Sequence, residues 1–344
     1  MVTSFSGYDL TDRNTLRMKV SCRLFVEFTS PEDLLSIDFS SLPRPVKVMG
    51  GGSNLLFTEE YFPGTILHCG IKGIKEISKD EGGGFLLVEV GAGEVFDDFC
   101  AWSAGHGYWG PENLSHIPGE AGASAVQNVG AYGVEAKDLI WVVKAFDLAS
   151  NSMISVVNGN CHYSYRDSMF KHAAGRYIIT SVVYKLGTAY SPRLDYGGVR
   201  RALAEEGFSS EAALTPSVLR QAITRIRRAK LPDPEEKGSA GSFFCNPIVP
   251  RSQFDAIVAA EGTEVPHYDL EDGKVKIPAA WMIERCGFKG RRSGGAQVWP
   301  TQPLVIVNDT GSASSQDILS LEKEITDSIR SRFGITIHPE VEHL

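Results

Sequence analysis

The segment IPGEAGASAVQNVGAYGVE, residues 117–135, is the most informative stretch of this 344-residue chain. It contains four glycines and four alanines, with Gln127, Asn128 and Tyr132 spaced among them. Small side chains let a large flat ligand, or its pyrophosphate, approach the backbone closely. Because each glycine costs a helix roughly 1 kcal/mol, the segment predicts a loop rather than a regular helix. The two interpretations are a cofactor cradle, which we favour, and a packed glycine-rich loop.

A second glycine-rich segment, GGGSNLLF at residues 50–57, directly follows the predicted strand VKVM at residues 46–49. Consecutive glycines can turn tightly and present N–H groups to an anion, and Ser53 and Asn54 add side-chain donors. The segment is not a Walker A loop, and it is not a Gly-x-Gly-x-x-Gly motif that opens a long helix. A phosphate-binding loop and a simple turn therefore both remain open from this segment alone.

Composition and charge limit the class of protein. Hydrophobic residues make up 42% of the chain and charged residues 22%, and the net charge is −8, which argues against nucleic acid or an anionic membrane as the main partner. The N-terminus has no signal-peptide pattern, and no apolar run approaches the ~20 residues of a membrane span. The six cysteines lie far apart without a zinc-binding or disulfide pattern. We expect a soluble, cytoplasmic, monomeric protein with reduced thiols and no metal.

The pattern of predicted elements favours an α+β protein with two parts. Short strands and glycine turns alternate in the first half, with a short helix at residues 30–37 and a helix at residues 95–107. The second half contains a helix at residues 215–233 and a last helix after Ser315 with an apolar stripe. The pattern breaks between about 188 and 214, where we place the boundary.

Four polar residues are candidates for chemistry, and each also has an ordinary interpretation. Ser242 in GSAGSFFCNP (238–247) either turns the backbone or donates a proton at the edge of an apolar pocket. Arg166 offers a planar fork for a carboxylate but, taken alone, more readily pairs with a neighbouring acid. Glu340, near the C-terminus, is by itself typical of a solvated charge. Lys230 either interacts with its helix dipole or reaches a diphosphate.

Seven segments resemble motifs of the UDP-N-acetylenolpyruvoylglucosamine reductase (MurB) family and follow the order of those motifs along the chain. The segment LDYGGV, residues 194–199, is similar to the longer subgroup, in which a tyrosine loop covers the substrate. The seven are GGGSNLLF, IPGEAGASAVQNVGAYGVE, YRDSMFK, KLPDP, GSAGSFFCNP, GGAQVW and HPEV.

The resemblance implies a fold and its boundaries. It implies an α+β protein whose residues 1–188 form an FAD-binding domain of the vanillyl-alcohol-oxidase (PCMH) type, with two lobes divided near residue 72. Residues 189–214 would form the substrate-loop insertion. Residues 215–344 would form a C-terminal α+β substrate-binding domain.

The resemblance also implies a reaction. NADPH would reduce non-covalently bound FAD, and hydride would then pass to C3 of the enolpyruvyl group of UDP-GlcNAc-enolpyruvate. Ser242 would protonate C2, while Arg166 and Glu340 act on the carboxylate. The product would be UDP-N-acetylmuramate, for peptidoglycan synthesis. The alternative is an oxidase of the same FAD-binding fold, acting on an alcohol or a sugar.

The resemblance assigns binding residues as well. Substrate contacts are implied for Tyr196, Lys230, Asn246 and Gln302, and Cys245 stands where many members of the family have lysine. FAD contacts are implied for Gly50, Gly51, Gly52, Ser53, Asn54, Leu55, Pro118, Gly119, Gly122, Ala123, Gln127, Asn128, Gly130, Ala131, Tyr132 and Gly133.

Overall fold

The computed structural model describes residues 1–80, 82–173, 175–196, 198–208, 214–233 and 236–344. The predicted insertion (189–214) and the KLPDP motif (230–234) are therefore described only in part, since residues 197, 209–213 and 234 lie outside these ranges. None of the helices in the described part of the chain combines the length and apolar character needed to cross a membrane.

The described residues form eight α-helices, twenty strands and five short 3₁₀-helices. The strands are β1 (Val2–Asp9), β2 (Ser21–Phe28), β3 (Val46–Met49), β4 (Leu55–Leu56), β5 (Tyr61–Cys69), β6 (Ile74–Asp80), β7 (Phe85–Gly91), β8 (Gly130–Ala131), β9 (Val134–Glu135), β10 (Ile140–Asp147), β11 (Ser152–Val157), β12 (Tyr177–Gly187), β13 (Gly238–Ser242), β14 (Ile248–Pro250), β15 (Tyr268–Asp269), β16 (Lys274–Lys276), β17 (Arg292–Ser293), β18 (Ala296–Val298), β19 (Val305–Asn308) and β20 (Glu342–His343). The α-helices are α1 (Phe96–Gly105), α2 (Ala121–Gln127), α3 (Met169–His172), α4 (Val199–Glu205), α5 (Pro216–Lys230), α6 (Arg251–Glu261), α7 (Ala279–Arg285) and α8 (Ser315–Phe333). The 3₁₀-helices are Thr11–Arg13, Glu32–Ser36, Pro111–Leu114, Ala136–Asp138 and Asn158–Asn160.

The chain divides into two compact units, and each combines distant stretches of sequence. The first unit comprises Met1–Tyr8, Ser21–Gly51 and Tyr61–Ala229. The second comprises Asp9–Val20, Gly52–Glu60 and Lys230–Leu344. Two short N-terminal segments therefore belong to the same unit as the C-terminal third of the chain.

The first unit contains two large sheets and the two-stranded sheet β8-β9. One has the order β1-β2-β5-β3, with β2 and β3 both parallel to β5. The other is antiparallel and has the order β11-β10-β12-β7-β6. The first sheet ends at Cys69 and the second begins at Ile74, on either side of the position where the sequence analysis divides two lobes.

The short helix α2 corrects one sequence-based expectation. The glycine-rich segment was predicted to be a loop, but Ala121–Gln127 is helical. Ala121 and Ala125 are fully buried, and the Ser124 hydroxyl lies 2.8 Å from the hydroxyl of Tyr184 on β12. Tertiary packing and the alanines outweigh the cost of Gly122. The helix ends where Asn128 adopts a left-handed conformation, with φ of 44°.

The helix α5 belongs to the first unit through Ala229, whereas the predicted C-terminal domain begins at residue 215. Its apolar face packs in a separate small core that also includes residues of the predicted insertion. The buried members of this core are Trp109, Leu194, Val199, Leu203, Leu214, Leu219, Ala222 and Ile223. We keep the family-based domain boundaries as a prediction, since they divide the chain differently from these compact units.

In the second unit, α8 provides the central apolar stripe. Its start is fixed by a capping box between Ser314 and Asp317, and Gly334 ends it with φ of 65°. The residues of the apolar stripe are all buried: Ile318, Leu321, Ile325, Ile329 and Phe333. They pack into one core with the antiparallel sheet β13-β19-β18-β17.

Truncating the centre of this stripe should destabilise the second unit. Ile325 is completely buried, so Ile325→Ala should lower the free energy of unfolding by about 2–5 kcal/mol through lost burial and a residual cavity. Urea unfolding of the full chain measures this. Arg330→Ala, on the exposed side of α8, should change the same value by less than about 0.5 kcal/mol. Equal losses in both variants would contradict the assignment of the buried face.

Candidate active site

Within the first unit, Gly50 and Gly51 of the first glycine-rich segment lie directly against the second glycine-rich segment. A methyl group at Gly50 would lie 3.0 Å from Oε2 of Glu120 and 3.7 Å from Cβ of Ala123. A methyl group at Gly51 would lie 3.6 Å from Cα of Gly119. Gly50 and Gly51, far in sequence from the second segment, thus form one glycine-rich surface with its residues 119–123.

This surface suits an anionic cofactor group. Among the residues that the structure describes, the N–H groups of Gly51 and Gly119 donate no backbone hydrogen bond. Gly119 has φ of 113°, a conformation open to glycine and strained for other residues. Pro118 precedes it, and Gly122 is so close to Ala92 that a methyl group would lie 2.9 Å from the Ala92 Cβ. The residues present therefore fit a pyrophosphate that is bound by backbone donors.

The second half of the long segment forms a tight hairpin of β8 and β9. Its two turn residues, Tyr132 and Gly133, have φ of 48° and 80°, as a two-residue turn of the I′ type requires. The side chain of Asn113 donates to the Tyr132 carbonyl at 2.8 Å. Burial raises the pKa of the Tyr132 phenol. The predicted FAD contacts Gly130 and Ala131 are the residues of β8.

The side chain of Asn128 organises this hairpin rather than pointing a free group at a ligand. Its amide donates to Oε2 of Glu135 at 3.0 Å and to the Ser164 carbonyl at 2.8 Å. Its Oδ1 accepts from the Lys137 N–H at 3.0 Å. Both amide hydrogens are therefore used within the protein, so the Asn128 side chain has no N–H left to donate to FAD. The neighbouring Gln127 accepts a hydrogen bond from Lys171 at 3.2 Å.

Arg166 is fixed against the same hairpin. Its Nη2 donates to the Gly130 carbonyl at 3.0 Å, and a methyl group at Gly130 would lie 3.3 Å from Nη1. Arg166 itself has φ of 55°, which is uncommon for a residue with a side chain and strains the backbone. The neighbouring acid, Asp167, lies 2.7 Å from Nε2 of His172. The guanidinium is thereby held beside the predicted FAD segment.

The helix α5 anchors the start of the second glycine-rich segment, residues 117–135. Arg220 forms a two-pronged ion pair with Asp97 on α1, at 2.7 and 3.0 Å. Asp97 also accepts from the His116 N–H at 2.5 Å, and Arg227 donates to the His116 carbonyl at 3.2 Å. The residue just before IPGEAG is therefore held through both its N–H and its carbonyl.

The predicted substrate residue Tyr196 also lies beside this hairpin. A methyl group at Gly133 would lie 3.3 Å from Cβ of Tyr196. The tyrosine is 43% exposed, so its ring is accessible to solvent.

In the second unit, Ser242 ends β13, opposite Val305 on β19. Gly241 before it has φ of 73°, and a methyl group there would meet no atom within 4 Å. The register of the two strands shifts between Ser239 and Ser242, which bends the strand just before the serine. Phe243 and Phe244, which follow, are almost completely buried. The apolar residues at this edge thus anchor a half-buried hydroxyl.

The C-terminal motif brings Glu340 to the same place. The Glu340 N–H donates to the Phe243 carbonyl at 2.8 Å, and the Cys245 N–H donates to the His338 carbonyl at 3.0 Å. Asn54 donates to the Glu340 carbonyl at 3.1 Å. Two of the three predicted catalytic residues, and a residue predicted to contact FAD, therefore lie together within this unit.

Other predicted residues of the first glycine-rich segment belong to the second unit as well. A methyl group at Gly52 would lie only 2.1 Å from the Arg13 carbonyl, so this glycine is required for packing. Ser53 follows in the turn, and Leu55 on β4 pairs in parallel with Glu342 on β20.

The three remaining predicted substrate residues also lie in the second unit. The Lys230 carbonyl accepts from Trp299 at 3.1 Å and from Thr301 at 2.7 Å, and its side chain is exposed. The Gln302 carbonyl accepts from the N–H of Val305 at 2.9 Å, the residue that pairs with Ser242. Asn246 accepts from the Ala279 N–H at 2.9 Å, at the start of α7.

Two residues at the glycine-rich surface were not predicted from the sequence. They are Glu120, which contacts Gly50, and His68 on β5, whose Nε2 lies 3.1 Å from Oε1 of Glu120. Glu120 could have been noticed as the one acid within a run of small residues. His68 gave no signal, because it stands in an ordinary strand pattern.

Comparison with known proteins identifies the family. Residues 23–153 match a model described as FAD binding domain, and residues 233–344 match one described as UDP-N-acetylenolpyruvoylglucosamine reductase, C-terminal domain. Reductases of that name from Bacteroides fragilis and Porphyromonas gingivalis are 44% and 41% identical to this chain, over 97–98% of the chain and 98% of each relative. The chain belongs to the UDP-N-acetylenolpyruvoylglucosamine reductase family. It is therefore an FAD-dependent oxidoreductase of peptidoglycan biosynthesis.

A solved structure of the family supports the fold. The reductase from Thermus caldophilus superposes with a TM-score of 0.65 at 21% identity, covering 100% of this chain and 98% of that one. The predicted fold class, an FAD-binding domain followed by the family's C-terminal α+β domain, is confirmed.

A methyl group added at Gly51 should weaken FAD binding without disturbing the fold. In Gly51→Ala the added methyl group would make only ordinary contacts with the protein, at 3.6 Å or longer. The free energy of unfolding of the apoprotein should therefore change by less than about 0.5 kcal/mol. The holoenzyme should release FAD at least about tenfold faster, because the methyl group occupies the surface that we assign to the cofactor. Flavin fluorescence after dilution measures this, and an unchanged rate would contradict the assignment.

The free energy of unfolding should depend on pH through Glu112, a buried residue two positions after Gly110, whose backbone is left-handed. Burial raises the pKa of its carboxyl from 4.5 to about 7, and its Oε1 has no hydrogen-bond partner among the described residues. Because the unfolded chain loses this proton first, stability should fall as the pH rises from about 4.5 to about 7. The Glu112→Gln variant should not show this pH-dependent loss of stability, which is on the order of 3 kcal/mol at pH 8. Urea titrations at several pH values measure it. A stability difference between the two proteins that does not change with pH would show that this proton plays no part.

Proposed function

We propose that this chain is the reductase that converts UDP-GlcNAc-enolpyruvate to UDP-N-acetylmuramate, using NADPH as the reductant. Support comes from membership of the family together with the position of Ser242 next to the Glu340 backbone. The observation that carries the proposal is the hydrogen bond from the Glu340 N–H to the Phe243 carbonyl at 2.8 Å, which fixes both motifs in one place.

When bound, FAD would supply the redox chemistry, which is the transfer of a hydride from NADPH to C3 of the enolpyruvyl group. We assign the binding of FAD to the backbone of residues 50–55 and 117–133. The protein must then manage the charge that develops on the substrate.

When hydride adds to C3, the electron pair of the C2–C3 double bond moves to C2 and into the carboxylate. We assign Arg166 as the fixed cation that stabilises this carboxylate. Glu340 would hydrogen-bond the same group in its protonated form. The Gly130 carbonyl holds the Arg166 guanidinium at 3.0 Å, so little reorganisation would be needed when charge develops.

Ser242 would transfer its hydroxyl proton to C2 and regain a proton from solvent. A serine hydroxyl is a weak acid, but a carbanion conjugated to a carboxylate is basic enough to take its proton. A separate base is then unnecessary. Phe243 and Phe244, which follow the serine in sequence and are buried, would limit competing water.

The substrate assignments of Tyr196, Lys230, Asn246 and Gln302 are also part of the proposal. The hydrogen bond of Asn246 to α7 suits it to a positioning role, since one of its polar atoms is already engaged. Lys230, with an exposed side chain, suits a diphosphate. A cytoplasmic location and a monomeric state remain predictions.

An anaerobic visible spectrum tests the proposal. NADPH should bleach the flavin band, and UDP-GlcNAc-enolpyruvate should restore it in stoichiometric amount. Recolouring by oxygen alone, with no effect of the enolpyruvyl substrate, would favour the alternative of an oxidase. A protein that takes up no FAD would overturn the proposal.

Ser242→Ala should separate the two half-reactions. Reduction of the flavin by NADPH should keep its rate, because it needs no proton from Ser242. Reoxidation by substrate should slow by roughly 10²–10⁴, as expected for a lost general acid. Stopped-flow absorbance measures both rates.

The matched control is Ser239→Ala, three residues earlier on the same strand, which should leave both rates within about twofold of the parent. Equal slowing of both half-reactions in Ser242→Ala would refute the role assigned to this hydroxyl.

A further inference from the structure

A buried histidine lies between two carboxylates at the base of the glycine-rich surface. In the first unit, Nδ1 of His68 is 2.7 Å from Oε2 of Glu27, and its Nε2 is 3.1 Å from Oε1 of Glu120. His68 is only 6% exposed. Glu27 and His68 are paired residues of the parallel strands β2 and β5, so the first contact is built into the sheet.

This geometry favours the imidazolium form of His68. An ionised carboxylate accepts hydrogen bonds and donates none, and only the charged imidazole has an N–H on both ring nitrogens. Burial lowers the pKa of His68, but the hydrogen bonds and charges of Glu120 and Glu27 outweigh burial and raise it above its ordinary value. The three side chains then carry a net charge of one negative unit instead of two.

Glu120 connects this histidine to both glycine-rich segments. It stands between Gly119 and Ala121 in the second segment. Its Oε2 is the atom that a methyl group at Gly50 would meet at 3.0 Å. Its Cγ lies 4.0 Å from the corresponding position at Gly51. A movement of this side chain, or an uncompensated charge on it, would therefore act directly on the surface to which we assign the FAD pyrophosphate.

We propose that protonated His68 is a positioning residue for FAD, which holds Glu120 in place and compensates its charge beside the two glycine-rich segments. The inference rests on the proposed contacts of Gly50, Gly51 and Gly119 with the cofactor. Its physical basis is that two uncompensated carboxylates would repel a pyrophosphate across a short distance of low dielectric constant.

The test is the rate at which the holoenzyme releases FAD, followed by flavin fluorescence after dilution. His68→Gln should release FAD at least about tenfold faster, since a glutamine side chain carries no compensating charge. The double variant His68→Gln with Glu120→Gln should return to within about threefold of the parent rate, because the uncompensated charge nearest the segments is gone. A role of His68 in packing alone predicts no such rescue.

His106→Gln is the matched control, since His106 is an exposed histidine of the same unit, and it should release FAD at the parent rate. A parent rate in His68→Gln, or a double variant as fast as the single one, would overturn the proposal. If His68→Gln does not fold, the double variant is the test. A double variant that folds and releases FAD as slowly as the parent supports the proposal, whereas a double variant that does not fold overturns it.

The Gly51→Ala variant separates this inference from the site assignment on which it rests. Fast release in Gly51→Ala with a parent rate in His68→Gln would remove the role of His68 and leave the cofactor surface intact. Parent rates in both variants would remove the assignment of the surface itself.

Discussion

The hydrogen bond between the Glu340 N–H and the Phe243 carbonyl is the constraint on which the second unit's part of the site depends. It joins residues almost one hundred positions apart and runs the C-terminal HPE segment beside the strand end that carries Ser242. Asn54 adds a contact to the Glu340 carbonyl, so three distant motifs meet at one backbone position. The side chains of Ser242 and Glu340 are positioned by main-chain hydrogen bonds. Such bonds tolerate changes in the neighbouring side chains better than side-chain contacts do.

Local patterns predicted part of the regular structure. The strand at 46–49, the helix at 95–107 and the last helix with its apolar stripe were expected from the sequence, and the structure has them as β3, α1 and α8 with small shifts of their ends. The prediction of a loop at α2 was wrong, because the helix owes its stability to Ala121, Ala125 and the Ser124–Tyr184 contact rather than to propensity. No local signal could reveal that packing.

Pairings over long sequence separations were beyond the sequence alone. The parallel bridge of β4 with β20 has two residues on each strand, too few to leave a periodic pattern. The family motifs named the residues of the site but not their partners. The contact of Asn128 with FAD stays a prediction, and the structure shows its side chain bonded to Glu135, Ser164 and Lys137. Residues that shape a site and residues that touch its ligand have the same appearance in a motif.

The discontinuous second unit has a consequence for how the chain acquires its structure. Leu16, Met18 and Leu56 belong to the same core as α8, although the family's C-terminal domain model begins at residue 233. During synthesis, these early residues leave the ribosome long before the strands and helix that cover them. Their apolar side chains stay uncovered until about two hundred more residues have been synthesised, and transiently exposed apolar surface favours aggregation. An isolated fragment that starts at residue 233 would lack part of its own interior.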